Sequence, residues 1–296
     1  MNASKSKADL IFLYGMVASM FCWGLSWTSG KILTNYGSPF QISFLRFFVT
    51  FFSLLFILFF TKDKLTISRK GIPDLLAAAV MIALYTYLFF QGLIHGKAGA
   101  GGVLVTILNP IISYVLMLFL NKRYPNQRET IGLLFGVLAG SILLKLWESP
   151  GHIFDQRNSY FLLASLSWAV LSVFTSKSSR YGSPVVFSLW MYGICFLMLF
   201  FLVGNVSTIH ILQGADLSFW GNLFFSATIT TALATTFYFV ATARLGAGKA
   251  SSFIFMVPLS AALGSFIFLG EIPQFHTLIG GFLGIIAVYI INSKKQ

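Results

Sequence analysis

Thr228, Thr231, Thr235, Tyr238 and Thr242 stand three, four, three and four residues apart, the spacing that puts side chains on one face of a helix. Hydroxyls in such a row donate and accept hydrogen bonds, and with no base beside them the chemistry they offer is reversible recognition of a solute. Ser165, Trp168, Ser172 and Thr175 form a second row, and Ser19, Trp23, Ser26 and Gly30 a third. In a fourth row, Gly102, Thr106, Asn109 and Ser113, Asn109 directly precedes Pro110, whose missing N–H leaves a backbone carbonyl free. Pro258 is the counterpart of Pro110 later in the chain, and the two prolines are candidate hinges. Each hydroxyl taken singly is satisfied by the turn before it. Matched polar faces on several apolar helices, however, require a common polar space. The residues expected to line it are Trp23, Ser26, Thr106, Asn109, Trp168, Ser172, Thr231, Thr235 and Tyr238, with Tyr85 and Phe255 adding aromatic contacts. Tyr87 and Gln91 stand near Tyr85 on the same segment.

Other chemistry is missing. The acids, from Asp9 to Glu271, sit in loops or near the ends of apolar segments, so the usual buried proton carrier is absent. His95, His152, His210 and His276 also lie near segment ends and form neither a metal pattern nor a nucleophile–base pair. Cys22 and Cys195 are isolated thiols inside apolar runs and supply no disulfide framework. No enzyme activity, metal or cofactor is expected. Arg46 lies about seven residues inside an apolar run, where snorkelling or helix-end carbonyls would suffice to hold it. Attraction of a substrate carboxylate is the alternative role for it.

The elements that carry these residues are membrane helices. Hydrophobic residues make up 57% of the chain and charged residues 9%, with a mean hydropathy of +0.83, whereas a soluble domain carries roughly 25% charge. Runs of about 20 apolar residues, the length that crosses a ~30 Å hydrocarbon core, occur at 10–31, 39–61, 73–95, 99–120, 130–147, 159–177, 184–204, 218–243, 250–270 and 276–292. The first run follows Lys5 and Lys7 as a signal peptide would, but it is too long and lacks a clear cleavage site, so it is read as a retained helix.

The net charge of +12 invites a nucleic-acid reading, and the placement of the charge removes the need for one. With a cytoplasmic N-terminus, the inside segments hold Lys5, Lys7, Lys62, Lys64, Arg69, Lys70, Lys122, Arg123, Arg128, Lys177, Arg180, Arg244, Lys249, Lys294 and Lys295, fifteen of the twenty basic residues. The outer ends and loops hold only Lys31, Lys97, Lys145 and Arg157. The positive-inside rule then puts both termini in the cytoplasm of a multi-pass inner-membrane protein surrounded by lipid.

The chain also repeats itself. Displacement by 148 residues lays Pro110 on Pro258, Pro125 on Pro273, Ile131 on Ile279, Gly132 on Gly280 and Gly136 on Gly284 without a gap. Tyr36-Gly37-Ser38-Pro39 returns as Tyr181-Gly182-Ser183-Pro184, with Trp23 matched by Trp168. The fold class expected is therefore all-α and integral to the membrane, with ten transmembrane helices in two five-helix repeats over residues 1–148 and 149–296. An odd number of helices per repeat makes the second half inverted, an arrangement that lets the halves rock about a midplane site. The swap of Lys122-Arg123 for Gly270-Glu271 at the repeated position fits opposite sides of the membrane. Gly132, Gly136 and Gly140 in the fifth helix, and Gly280 and Gly284 in the tenth, keep four-residue steps that admit close helix packing. They mark a support at the end of each repeat and the expected surface of a homodimer.

Trp23-Gly24 and Lys31, Phe44-Leu45-Arg46, the prolines Pro110 and Pro258, and Phe268-Leu269-Gly270-Glu271 together resemble the EamA-like branch of the drug/metabolite transporter superfamily over nearly the whole chain. The resemblance implies a central cavity lined mainly by helices one, three, four, six, eight and nine. It also implies export of a small organic solute, in the first instance amino acids or related metabolites. Relatives often carry an acid where this chain has Arg123, so the family's paired acid is not expected here. Multidrug or aromatic-solute efflux is the alternative suggested by Trp23, Trp27, Trp168 and the wealth of Phe. An intramembrane lipid enzyme would need a catalytic constellation that the sequence lacks.

Overall fold

A computed structural model describes residues 7–61, 63–120, 122–203, 206–238 and 252–292. Thr242 falls outside these residues, as does the side chain of Phe255. The described chain is helical. It comprises α1 (Lys7–Leu33), α2 (Pro39–Thr61), α3 (Ile72–His95), α4 (Ala98–Leu120), α5 (Gln127–Leu143), α6 (Gln156–Thr175), α7 (Pro184–Val203), α8 (Val206–Gln213), α9 (Leu217–Phe224), α10 (Val257–Leu269) and α11 (Phe275–Asn292). By length and composition, Pro39–Phe60, Arg69–His95, Ala98–Leu120, Gln156–Arg180 and Pro184–Val203 are long and apolar enough to cross a membrane. Val257–Leu269 and Phe275–Ile291 are shorter apolar helices. Phe59 (78% exposed), Phe119 (80%) and Phe201 (83%) point away from the core, as side chains facing acyl chains do.

Local signals set the boundaries. Pro39 and Pro184 open α2 and α7, where a first-turn proline loses no intrahelical hydrogen bond. Asn126 and Glu129 cap α5 reciprocally, each side chain accepting from the other's backbone N–H. The carboxylate of Asp216 accepts from Phe219 N at 2.8 Å and starts α9. The fifth apolar run ends as helix at Leu143 because the backbone turns left-handed at Lys145 (φ 54°). α8 was not expected, since eight residues fall far below the length of a membrane-crossing run.

Two features depart from regular α-helix. After Phe224 the chain continues as a π-helix over Phe225–Ala234, in which Thr235 N donates to Thr230 O. Before α10, Ser252–Met256 form a 3₁₀ turn. Pro258 consequently lies in the first turn of α10, whereas Pro110 lies inside the continuous α4. The two repeat-equivalent prolines are thus placed differently, one starting a helix and one interrupting its hydrogen bonds.

Packing follows pairs: α5 against α11, α3 against α6, α1 against α10 and α2 against α7, with α4 between α6 and α10 and the π-helix between α1 and α2. Gly24 shows how tight α1 and α10 are, because a Cβ there would lie 1.9 Å from Ser260 Oγ and 2.7 Å from Ala261 N. The glycine steps act in the same way. Gly132 meets Ala287 O and Ile291 on α11, Gly280 meets Ala139 O and Leu143 on α5, and Gly136, Gly140 and Gly284 admit Ile111, Leu108 and Ile107 of α4. These glycine faces are occupied within the chain.

Contacts recur in the two halves. The Tyr36 hydroxyl donates to Asp216 Oδ1 at 2.7 Å, and the Tyr181 hydroxyl donates to Asp74 Oδ2 at 2.5 Å. α4 is followed by Lys122 in the left-handed region (φ 49°) and α10 by Gly270 (φ 66°), positions separated by the 148-residue displacement.

Candidate solute site

The site is built around two tryptophans. Trp23 on α1 and Trp168 on α6 meet edge to face with ring centroids 6.2 Å apart. Tyr238 lies 5.0 Å from Trp23 and Tyr85 of α3 lies 4.7 Å from Trp168. Trp23 Nε1 donates to Thr235 Oγ1 at 3.2 Å. Arg46 of α2 donates through Nη2 to Thr231 Oγ1 at 3.0 Å, and its guanidinium lies 5.7 Å from the Phe89 ring centroid. Six of the residues expected to share a polar space, Trp23, Tyr85, Trp168, Thr231, Thr235 and Tyr238, are therefore brought together.

The π-helix aims the two threonines. Thr231 Oγ1 donates back to Ser226 O at 2.8 Å and Thr235 Oγ1 to Thr230 O at 3.1 Å, each five residues earlier. With their hydrogens directed at the backbone, both hydroxyls present lone pairs to Arg46 and Trp23. Thr228, one turn earlier, pairs instead with Ser53 of α2 at 2.8 Å. The wider turn thus spreads the expected single face over α2 and α1.

Other expected residues are not joined to this cluster by hydrogen bonds. Ser26 Oγ donates to Trp23 O at 2.6 Å and Ser172 Oγ to Trp168 O at 2.8 Å, so both bond the preceding turn beside the tryptophans. Thr106 Oγ1 donates to Gly102 O at 2.5 Å, and Ser113 Oγ donates to Asn109 Oδ1 at 3.2 Å, keeping these bonds within α4. Pro110 lies one residue beyond Asn109 in that helix.

Arg46 corrects an expectation. Its guanidinium does not reach helix-end carbonyls by snorkelling; it turns inward to Thr231 and Phe89, because α2 packs against both α3 and the π-helix. A lone charge in an apolar run was the signal available in the sequence, but no spacing rule supplied its partner on a helix 185 residues away.

Aromatic layers close the cluster on both sides along α1. On one, Trp27 (3% exposed) packs 4.7 Å from Phe89 and 5.8 Å from Phe161. Phe161 fits only because Gly92 and Gly101 leave room, a Cβ at either lying 2.4 Å from its ring. Phe161 also lines a cavity of about 310 Å³ shared with Lys97, Lys145, Arg157, Glu148 and Glu271. Beside that cavity, the carboxylate of Glu271 accepts from Ala98 N at 3.1 Å and Gly99 N at 3.0 Å, capping α4. Lys31 donates to Gly96 O at 3.0 Å and to Leu93 O, tying α1 to the end of α3. On the other side Met16 is enclosed by Phe12, Phe237, Tyr238 and Phe253. There a Cβ at Gly15 would lie 2.4 Å from the Phe237 ring.

Comparison with known proteins gives this arrangement a context. The sequence pattern of the EamA-like transporter family matches residues 10–145 and, a second time, residues 158–293. The chain is 23% identical over 278 residues to the uncharacterized transporter YoaV of Bacillus subtilis, covering 92% of this chain and 93% of that one. It is 26% identical over 226 residues to a protein of Streptantibioticus cattleyicolor named a probable terminal-alkyne amino-acid exporter, covering 74% and 72%. Its fold is similar to that of a crystal structure with a TM-score of 0.63 at 16% identity, covering 97% of this chain and 96% of the other.

Proposed function

The chain belongs to the EamA-like transporter family, and from that premise we propose that it is a secondary transporter exporting amino acids or related small metabolites by alternating access through the Trp23–Trp168 site. The observation that carries the reading is the meeting of equivalent tryptophans, one from each half, beside hydrogen-bonding groups of the π-helix. A solute held there contacts both halves, so a rocking motion of one against the other changes its exposure without moving the site.

The ten spans, the two repeats over 1–148 and 149–296 and their inversion are part of this proposal. Two successive family matches support the duplication. Exchange of partners supports the inversion: Tyr36 reaches the start of α9 as Tyr181 reaches the start of α3. Likewise, α6 packs on α3 and α4 much as α1 packs on the π-helix and α10. Location in the inner membrane with cytoplasmic termini rests on the fifteen basic residues of the inside segments. Pro110 and Pro258 are assigned to hinges. A homodimer through α5 and α11 would use their outward faces, where Leu134, Val137 and Phe282 are exposed.

Amino-acid export draws on the Streptantibioticus relative, named a probable terminal-alkyne amino-acid exporter. Efflux of aromatic or drug-like compounds is the second reading, favoured by the aromatic wall of Trp23, Trp168 and Tyr85. Counterflow into proteoliposomes preloaded with unlabelled amino acids separates them. Saturable uptake of the matching labelled amino acid, indifferent to lipophilic cations, is the expected result. Silence across the amino-acid panel, with uptake of lipophilic cations, would replace the first reading with the second.

A further inference from the structure

We propose that Arg46 is the anion anchor of the central site, and that the solute it holds carries one free carboxylate adjoining an apolar or aromatic group. The inference rests on the transporter reading above and names the substrate class of that same site. Arg46 lies in the apolar span Pro39–Phe60, seven residues or about 10 Å along the helix from Pro39 at ~1.5 Å per residue. A guanidinium at such depth is costly unless something offsets its charge. The ion pairs among the described residues are Arg123–Glu129, Lys145–Glu148, Arg157–Asp155 and Lys177–Asp74, and none involves Arg46. Among the described residues its contacts are neutral: the Thr231 hydroxyl and the Phe89 face. One hydroxyl bond and one ring contact leave most of the five N–H donors of the fork for a ligand.

The ligand that suits this guanidinium is a monoanion. A carboxylate matches the planar fork with two parallel hydrogen bonds and one unit of charge. A phosphate dianion would bring two charges to a cluster whose one cation among the described residues is Arg46. The rest of the ligand is defined by Tyr85, whose ring lies 6.1 Å from that of Phe89, the ring under Arg46, and 4.7 Å from that of Trp168. An acid gripped by Arg46 therefore has its organic part directed along an aromatic wall that continues to Trp23. No described carboxylate stands in the cluster to pair with an ammonium group, so the amino group of an amino acid contributes less to binding than its carboxylate.

The test is a titration of the purified full chain with L-phenylalanine, 3-phenylpropionate, L-phenylalaninamide and 2-phenylethylamine, read by intrinsic tryptophan fluorescence. The two acids are expected to bind at least ~10-fold more tightly than the amide and the amine. Arg46→Gln should abolish that preference, while Arg46→Lys, which keeps the charge and loses the fork, should retain part of it. Equal binding of all four compounds, or an undiminished preference in Arg46→Gln, would overturn the anchor and leave the aromatic solute site standing. Binding by none of them would overturn the anchor for an aromatic acid, while the amino-acid reading is decided by the counterflow panel. The wild-type comparison of acid with amide decides the matter even where Arg46→Gln does not fold.

Discussion

Glu271 offers a perturbation whose size follows from its geometry. Its two carboxylate oxygens accept from the first backbone N–H groups of α4 at 3.1 and 3.0 Å, in a partly buried corner where α1, α3, α4 and α10 converge. Glu271→Ala leaves two N–H groups without acceptors, at about 1–2 kcal/mol each. It also removes an anion from the positive end of a helix, where such a charge contributes up to ~2 kcal/mol. These contributions overlap, and together they place the loss at about 2–4 kcal/mol. Glu271→Gln keeps one good acceptor and should lose about half as much. With a midpoint shift of roughly 2–4 °C per kcal/mol for chains approaching this size, Glu271→Ala should unfold on the order of 4–16 °C lower and Glu271→Gln on the order of 2–8 °C lower. The assay is thermal unfolding of the purified chain in detergent, followed by tryptophan fluorescence. An unchanged midpoint for Glu271→Ala would refute the assignment of Glu271 as the cap that joins α10 to α4.

Three further outcomes are expected. Gly24→Val should destabilise by about 1–3 kcal/mol through overpacking, seen as a lowered thermal midpoint, because its side chain would enter Ser260 and the backbone of Ala261. Phe161→Ala should lower the midpoint by an amount corresponding to about 3–5 kcal/mol, because the ring that fills the space beside Trp27, Gly92 and Gly101 is removed. The Phe219 N–H, then the Tyr36 hydroxyl, holds the Asp216 carboxyl below the usual carboxylate range. A lowered folded pKa means that this stabilisation is complete above the ordinary carboxylate pKa and is lost as pH falls through the lowered value. An acid titration of thermal stability should accordingly lose that step in Asp216→Asn.

How far the sequence reaches is visible in particular residues. Apolar length and flanking prolines located α2 and α7 closely, and the Tyr-Gly-Ser-Pro repeat identified two turns whose tyrosines make corresponding bonds to Asp216 and Asp74. Helical spacing selected Trp23, Trp168 and Thr235, which do meet. The same spacing also selected Ser26, Ser172 and Thr106, whose hydroxyls turn back to their own helices, an alternative that spacing cannot distinguish. Steps of three and four suggested a single α-helical face over Thr228–Tyr238, yet the π-helix sends Thr228 and Thr231 to α2 and Thr235 to α1. Arg46 was legible as an isolated charge, but its partners lie on two other helices and only packing brings them near.

If solute binds between Trp168 and Thr235 on its way across the membrane, transport requires both side chains. Counterflow of the best amino-acid substrate should be compared in proteoliposomes containing wild type, Trp168→Ala and Thr235→Ala at equal reconstitution, without a pH gradient. The wild type should show saturable uptake, and both variants should lose it. Saturable uptake that survives unchanged in both would move the solute path away from the cluster.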